Sequence, residues 1–314
     1  MHSPWRFAGD VLWKRRPIHL TFFVTRRCNA RCPFCFYLRG DGLGGRAGPA
    51  APELTLEESE QVARSLGSLL WLAFSGGEVF LRPDLVEITE AFYRHCRPSF
   101  LLYSTNGFLP ERIREVTEEI LRRCPRSVVT VKLSLDGLGA DHDQLRGVPG
   151  GFQKVLETHR LLSELLEAHP NFELGVNTVL CAANQDRIEE VLDFVAGLEG
   201  VRTHTVSLVR GDLVEESWKE VDPQSYAWVA ARLERDLKEG LARRYRFPGA
   251  RLKAAQDILQ RRLILRTLRT GRRVLPCYAG RLNLVLTETG DVYPRGASSG
   301  PSPRGRATAP TSAT

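Results

Sequence analysis

Three cysteines stand within eight positions of one another, in the segment TRRCNARCPFCF that covers residues 25–36. They are Cys28, Cys32 and Cys35, and an apolar run directly precedes this segment. Thiolates bind soft metals and iron–sulfur clusters, and an odd number of thiols cannot all be used in a closed set of disulfides. The triplet therefore predicts a metal centre that these cysteines leave with one open position. The alternative is a structural zinc with one ligand from elsewhere, although no second Cys or His pair has the spacing typical of zinc.

Apolar runs alternate with amphipathic segments from residue 18 to about residue 210, and the strands and helices that they predict must position these thiols. The apolar runs predict six strands, which are HLTFFVT, LWLAFS, SFLLYS, VVTVKLSL, FELGVNTVL and THTVSLV. Six strand–helix units in a row indicate a parallel sheet with helices outside, either doubly wound or closed toward a barrel. We predict an α/β fold: a partial (β/α)6 barrel of the TIM type, with a small C-terminal extension of helices and a β-hairpin.

Polar and glycine-rich motifs follow the predicted strands. SGGE (75–78) follows the second strand, STNG (104–107) the third, and SLDG (134–137) ends the fourth. Each motif alone has the composition of an ordinary turn. Parallel α/β folds bind ligands at the carboxyl ends of their strands, however, and here the motifs occupy successive strand ends together with the cysteines. This order indicates a ligand site.

The combination resembles the radical S-adenosylmethionine (radical SAM) enzymes over residues 18–210. The most specific elements are the cysteine triplet, with the aromatic Phe34 before its last cysteine, and the Gly-Gly-Glu at 76–78. The resemblance implies a [4Fe–4S] cluster held by Cys28, Cys32 and Cys35, with S-adenosylmethionine chelating the iron left open. It further implies reductive cleavage of that cofactor to a 5′-deoxyadenosyl radical, which takes hydrogen from a substrate, and an electron donor such as flavodoxin or ferredoxin.

The resemblance also implies roles for residues around the cofactor. Phe34 is expected near the adenine, and Gly76 and Gly77 are expected to let the backbone approach the methionine amino group. Glu78 is expected to hold that loop or the amino group. The remaining candidates stand at other strand ends: Ser134 and Asp136 for the ribose or the methionine carboxylate, and Asn106, Asn177 and Arg210 for the cofactor or the substrate. No catalytic acid or base is assigned.

The C-terminal segment CYAGRLNLVLTETGDVYPR predicts a hairpin with Gly290 in its turn. It resembles the start of a SPASM or twitch domain, which carries further clusters in many relatives that modify peptides. Cys277 and Gly290 fit that pattern, but Arg295 stands where the second cysteine belongs, so we expect no auxiliary cluster. The small-residue sequence after residue 294 predicts disorder, and a truncation or a shifted reading frame relative to a longer ancestor is one hypothesis for it.

The composition sets limits on the class of protein. The 314 residues are 42% hydrophobic and 26% charged, which is typical of a soluble globular protein. We find no apolar run of the ~18 residues that a membrane helix needs and no secretory signal at the N-terminus, so we expect a cytoplasmic protein with reduced cysteines. The net charge is +7. The basic stretch 260–273 is interpreted as a solvated helix face or a contact for an acidic peptide, phosphate or nucleic acid; it lacks interleaved aromatics, so no nucleic-acid partner is expected.

We therefore divide the chain into an N-terminal extension (1–17), a radical SAM core (18–211), a C-terminal extension (212–294) and a disordered tail (295–314). The predicted function is that of a radical SAM enzyme of the oxidoreductase or maturase type, acting on a peptide, a protein or a small molecule. The alternative is a catalytically inactive or truncated member of the family that acts as a binding or regulatory protein.

Overall fold

The computed structural model describes residues 1–14, 16–37, 52–241, 245–247 and 249–294. The predicted disorder of residues 295–314, and Arg295 with it, lies outside the described residues. No described helix combines the length and the apolar composition needed to cross a membrane.

An eight-stranded sheet forms the centre of the protein, in the order β6-β5-β4-β3-β2-β1-β7-β8. The strands are β1 (His19–Thr25), β2 (Trp71–Gly76), β3 (Phe100–Thr105), β4 (Val128–Ser134), β5 (Phe172–Leu180), β6 (Val201–Leu208), β7 (Asn283–Leu286) and β8 (Val292–Tyr293). Neighbouring strands from β6 to β7 pair in parallel, and β8 alone among these described strands runs antiparallel to its neighbour. The predicted α/β fold with a mostly parallel sheet is confirmed.

The α-helices are α1 (Ala8–Trp13), α2 (Leu56–Ser65), α3 (Leu85–Cys96), α4 (Pro110–Arg123), α5 (Ala140–Arg146), α6 (Gly151–Ser163), α7 (Leu165–Ala168), α8 (Ile188–Gly197), α9 (Pro223–Glu239) and α10 (Ala250–Thr270). Local signals start several of them: Thr55 and Glu58 form a reciprocal capping box before α2, and Asp222 caps α9 ahead of a proline. Helix α5 was not predicted, because its seven residues are too few to show a helical period.

The two faces of the sheet have different neighbours. Successive side chains of a strand point to opposite faces, so the register row Phe22, Phe74 and Tyr103 lies on one face, and Phe92 of α3 packs against its first two rings. The row Ser104, Lys132, Gly175 and Thr203 lies on the other, which we call the inner face. Residues 245–247 cover part of the inner face, since the ring of Phe247 lies 4.7 Å from that of Phe100.

The predicted hairpin is confirmed as β7 and β8, and it does more than form a turn. Strand β7 pairs with β1 and so extends the main sheet beyond its first strand. Glu288, the second residue after β7, accepts a 2.5 Å hydrogen bond from the buried hydroxyl of Tyr37. Tyr37 stands two positions after the last cysteine of the triplet. The C-terminal hairpin thus supports the cysteine segment.

Candidate functional site

The ends of β1 and β2 are bound together by backbone hydrogen bonds. The Gly77 N–H donates to the Thr25 carbonyl at 2.8 Å, and the Glu78 N–H donates to the Arg27 carbonyl at 2.8 Å. A Cβ atom at Gly76 would lie 2.4 Å from the Thr25 oxygen, and one at Gly77 would lie 2.2 Å from the Arg27 oxygen. Gly76 also has a positive φ of 134°. Both positions therefore require glycine for the approach of the chain's own backbone, apart from any role toward a cofactor.

Glu78 joins the end of β2 to the end of β3. Its carboxylate is fully buried and accepts hydrogen bonds from the Thr105 hydroxyl at 2.8 Å, the Asn106 N–H at 2.7 Å and the Phe80 N–H at 3.2 Å. Burial raises the pKa of Glu78 to about 7, although the donors at Asn106 and Thr105 act in the opposite direction. The structure thus gives Glu78 the loop-holding contacts that are one of its two predicted roles.

Replacing Glu78 tests this junction. In Glu78→Gln the side-chain NH₂ group replaces one carboxylate oxygen and faces a backbone N–H that donated to that oxygen, so at least one buried N–H loses its acceptor. We therefore expect a loss of about 1–3 kcal/mol in the free energy of unfolding. Urea unfolding measures it, with the exposed Glu57→Gln as the matched control. A loss no larger than that of Glu57→Gln would contradict the structural role.

The raised pKa of Glu78 also predicts a pH dependence. The folded protein binds the proton more tightly than the unfolded chain, so this contribution to stability is fully present below the ordinary pKa of 4.5 and is lost as pH rises through about 7. The stability of the wild type relative to Glu78→Gln should therefore fall across that interval. A difference between the two proteins that is constant with pH would contradict it.

The end of β3 contacts the first cysteine through Asn106. The Asn106 Nδ2 donates to the Asn29 side-chain oxygen at 2.7 Å and lies 3.8 Å from the Cys28 Sγ, which also accepts from the Ala30 N–H at 3.4 Å. Burial raises the pKa of the Cys28 thiol, and the Ala30 N–H opposes that shift. Amide donors thus point at the sulfur that would carry negative charge as a ligand.

The end of β4 contacts the second cysteine through a buried ion pair. Arg146, at the end of α5, pairs with the fully buried Asp136 and donates to the Cys32 Sγ at 3.7 Å. Its guanidinium carbon lies 5.5 Å from the ring centre of Phe34, and Asp136 also accepts from the Val179 N–H at 2.7 Å. Burial raises the pKa of the Cys32 thiol, and the positive charge of Arg146 lowers it. Asp136 therefore acts on the cysteine segment through Arg146.

The loop after β6 closes on the same segment. Phe34 is buried with Leu145, Val209 and Leu213, and a Cβ at Gly211 would lie 2.5 Å from the Phe36 Cβ. Asp136 further lines a cavity of about 200 Å³ with Asn184 and Trp218.

Three of the predicted residues lie outside this contact network. Ser134 and Asn177 are register neighbours on the inner face, where Asn177 accepts a 3.4 Å hydrogen bond from Ser207. Arg210 is exposed after β6. The network joins the other nine: Cys28, Cys32, Cys35, Phe34, Gly76, Gly77, Glu78, Asn106 and Asp136.

The three thiols lie near one another: besides burial, the charges of Cys32 and Cys35 raise the pKa of the Cys28 thiol, and the charge of Cys35 adds to the effect of burial on the pKa of Cys32. Within the part of the chain that the structure describes, no group of three or more His, Cys, Asp or Glu is arranged to hold a single metal ion. In a cubane cluster, by contrast, each thiolate binds a different iron.

Sequence reasoning missed Arg146 and Asn29. Arg146 stands in the helix that was not predicted, and its partner Cys32 is 114 positions away along the chain. Asn29 lies between two of the cysteines, and that position was the only signal that could have drawn attention to it.

Comparison with known proteins identifies the family. The family model of the radical SAM superfamily matches residues 22–195, which is more than half of the chain. The chain belongs to the radical SAM superfamily. The resemblance to this superfamily that the sequence motifs show over residues 18–210 is thereby confirmed at the level of the family.

Two curated relatives of this radical SAM chain illustrate the range of the superfamily. An AdoMet-dependent heme synthase of Methanosarcina barkeri is 29% identical over 67% of this chain and 56% of its own length. The antilisterial bacteriocin subtilosin biosynthesis protein AlbA of Bacillus subtilis is 30% identical over 47% of this chain and 31% of its own length. The radical SAM chain thus spans from about a third to just over half of the length of these relatives.

Among solved structures, Streptococcus suis SuiB bound to the precursor peptide SuiA matches with a TM-score of 0.53 and 16% identity, over 94% of this chain and 65% of SuiB. At that identity the likeness concerns the fold alone.

Members of the radical SAM superfamily use a [4Fe–4S] cluster and S-adenosylmethionine. The donor chemistry of this radical SAM chain fits such a cluster: three thiols stand in one segment, and N–H groups are directed at two of them. Hydrogen bonds to the sulfurs are one of the factors that set the potential of an iron–sulfur cluster.

Proposed function

We propose that the chain is a radical SAM enzyme in which Cys28, Cys32 and Cys35 hold a [4Fe–4S] cluster and the neighbouring strand ends bind S-adenosylmethionine. The observation that best supports this is the contact network, because it joins the cysteine segment to the ends of β2, β3 and β4 through buried polar side chains. Buried polar groups are costly to maintain, and here they converge on two thiol sulfurs.

When bound, the cluster and S-adenosylmethionine supply the electron transfer and carbon–sulfur cleavage that yield a 5′-deoxyadenosyl radical able to take a hydrogen atom from a substrate. The protein's own residues position and shield this chemistry. Asn106 and Arg146 direct positive partial or full charge at the sulfurs of Cys28 and Cys32, which stabilises the thiolate form that a ligand needs. Phe34 excludes water beside Cys32, and Asp136 holds Arg146 in place.

The remaining candidates for the cofactor are Gly76, Gly77, Glu78, Ser134, Asn177 and Arg210. Ser134 is the last residue of β4, and Asn177 lies beside it on the inner face, in the carboxyl-terminal half of β5. A parallel α/β fold binds ligands at this end of its strands. We assign Glu78 to holding the loop, since its oxygens accept three hydrogen bonds from the chain.

For the substrate, a peptide or protein is the first candidate, because the structural relative SuiB is described with a precursor peptide. A small molecule is the second, because one curated relative is a heme synthase. An external reductant such as flavodoxin or ferredoxin and a reducing, cytoplasmic setting complete the proposal, since free thiols persist there.

Anaerobic reconstitution tests the proposal. The protein should turn brown, bind about four irons per chain, and form 5′-deoxyadenosine from S-adenosylmethionine and dithionite. A colourless protein that binds zinc and forms no 5′-deoxyadenosine would overturn it in favour of a binding or regulatory role. About eight irons per chain would instead contradict the expected absence of an auxiliary cluster.

A further inference from the structure

Lys132 is a buried cation on the inner face for which the proposed chemistry has no use. It lies in the middle of β4, opposite Gly175 of β5. A Cβ at Gly175 would lie 2.6 Å from the Thr203 Oγ1 and 3.4 Å from the Lys132 Cγ, so the lysine side chain passes directly over this glycine toward β6. The Lys132 Nζ then donates to the Thr205 hydroxyl on β6. No carboxylate among the described residues forms an ion pair with this ammonium group.

A second cation lies beside it. Arg261 of α10 has a buried Nη1 atom that finds no hydrogen-bond partner among the described residues. Arg261 and Thr205 line a cavity of about 70 Å³ between β6, α9 and α10, together with Tyr245. The one carboxylate among the lining residues, Asp257, is ion-paired with Lys253. The cavity therefore contains hydrogen-bond donors and positive charge, and its one carboxylate is already paired with another lysine.

The electrostatics of the cavity agree with this inventory. Burial lowers the pKa of Lys132 to about 8, and the charges of Lys253 and Arg261 act in the same direction, while Asp257 opposes them. Burial also lowers the pKa of His204, on the opposite side of β6, to about 3, so this imidazole adds no charge at neutral pH. A desolvated cation without a counter-ion is unfavourable, and an anion in the cavity would relieve that cost.

The position of the cavity connects it with the candidate site. Thr205 is in register with Asn177, which is in register with Ser134. Thr205, which lines the cavity, is thus in the same register row as Ser134 and Asn177, two residues proposed for the cofactor or the substrate. The volume of the cavity is about twice the 30 Å³ that one water occupies in the liquid, which leaves room for a group the size of a carboxylate.

We propose that Thr205 and Arg261, with the charge of Lys132 behind the Thr205 hydroxyl, form an anion-binding site that receives a carboxylate group of the substrate. The anion site stands on the cavity itself, whereas its assignment to the substrate rests on the proposed radical SAM function. The substrate class is then an acidic one: a peptide with an aspartate, a glutamate or a free C-terminus at this position, or a small carboxylic acid.

Calorimetric titration of the reconstituted protein with sodium succinate, against sodium chloride of equal ionic strength, tests the site. We expect saturable binding by the wild type, and binding at least about tenfold weaker in Lys132→Met and Arg261→Gln. Arg261→Gln removes a charged donor that lines the cavity, and Lys132→Met removes the positive charge behind the Thr205 hydroxyl. Arg266→Gln is the matched control, since it removes the same charge from an exposed position of α10. Lys132→Arg keeps the charge and should keep binding, which separates lost binding from lost folding.

Absence of succinate binding by the wild type, or equal binding by all five proteins, would overturn the site. Tighter binding of inorganic phosphate than of succinate would overturn the choice of a carboxylate. The proposed function fails separately, through the absence of 5′-deoxyadenosine in the wild type, so a failure of one proposal is not mistaken for a failure of the other.

Discussion

Cys32→Ala should lower the iron bound after reconstitution from about four per chain to below about one, and should reduce 5′-deoxyadenosine formation at least about a hundredfold. The reason is that two remaining thiolates cannot hold a cubane whose fourth iron must stay open. Cys32 is also the sulfur to which Arg146 donates, so its loss leaves that buried guanidinium without one of its partners. Iron analysis, the visible absorption spectrum and chromatography of the product measure the effect.

Cys277→Ala is the matched control for that experiment, since Cys277 is exposed and stands 242 positions after Cys35 in the sequence. It should bind as much iron as the wild type and form 5′-deoxyadenosine at the same rate. Full product formation by Cys32→Ala would mean that the cluster assignment is wrong. Iron loss in Cys277→Ala would mean instead that the C-terminal hairpin contributes a ligand, against the expectation from Arg295.

Arg146→Met should lower the free energy of unfolding by about 3–5 kcal/mol. Asp136 is fully buried, and without Arg146 its carboxylate would remain as an uncompensated buried charge with only hydrogen-bond support such as that of the Val179 N–H. Urea unfolding of the apoprotein measures the loss without any contribution from a bound cluster. As a surface comparison, Arg160→Met removes an ion pair with the exposed Glu157 and should cost no more than about 1 kcal/mol.

The double variant Asp136→Asn with Arg146→Met decides whether the effect comes from the ion pair. Replacing both charges removes the uncompensated carboxylate, so the double variant should be more stable than Arg146→Met alone. If the two single losses simply add, the pair is not coupled as the structure has it. In the loaded enzyme the double variant should still form 5′-deoxyadenosine more slowly than the wild type. Cys32 lacks its cationic donor in the double variant just as it does in Arg146→Met.

The sequence by itself determined the strands and the local chemistry of the site. The bounds of β1 and β5 follow from their apolar runs, because burial on a sheet selects β-branched and aromatic residues over short, contiguous stretches. The cysteine spacing is also local, and it places three ligands on one segment without help from the rest of the chain. Family membership could be predicted from these elements together with the Gly-Gly-Glu motif.

Only the tertiary structure decided which groups meet those ligands. Arg146 reaches Cys32 across 114 positions, and Glu288 reaches Tyr37 across 251. The pairing of β7 with β1 and the crossing of Lys132 over Gly175 toward Thr205 likewise depend on which strands become neighbours. A buried charge is stabilised by the partner that the fold places beside it. The sequence shows the charged residue but does not show which residue becomes that partner. The thiols of this site can therefore be identified from one short segment of the sequence, whereas the charged groups around them are brought there by long-range contacts.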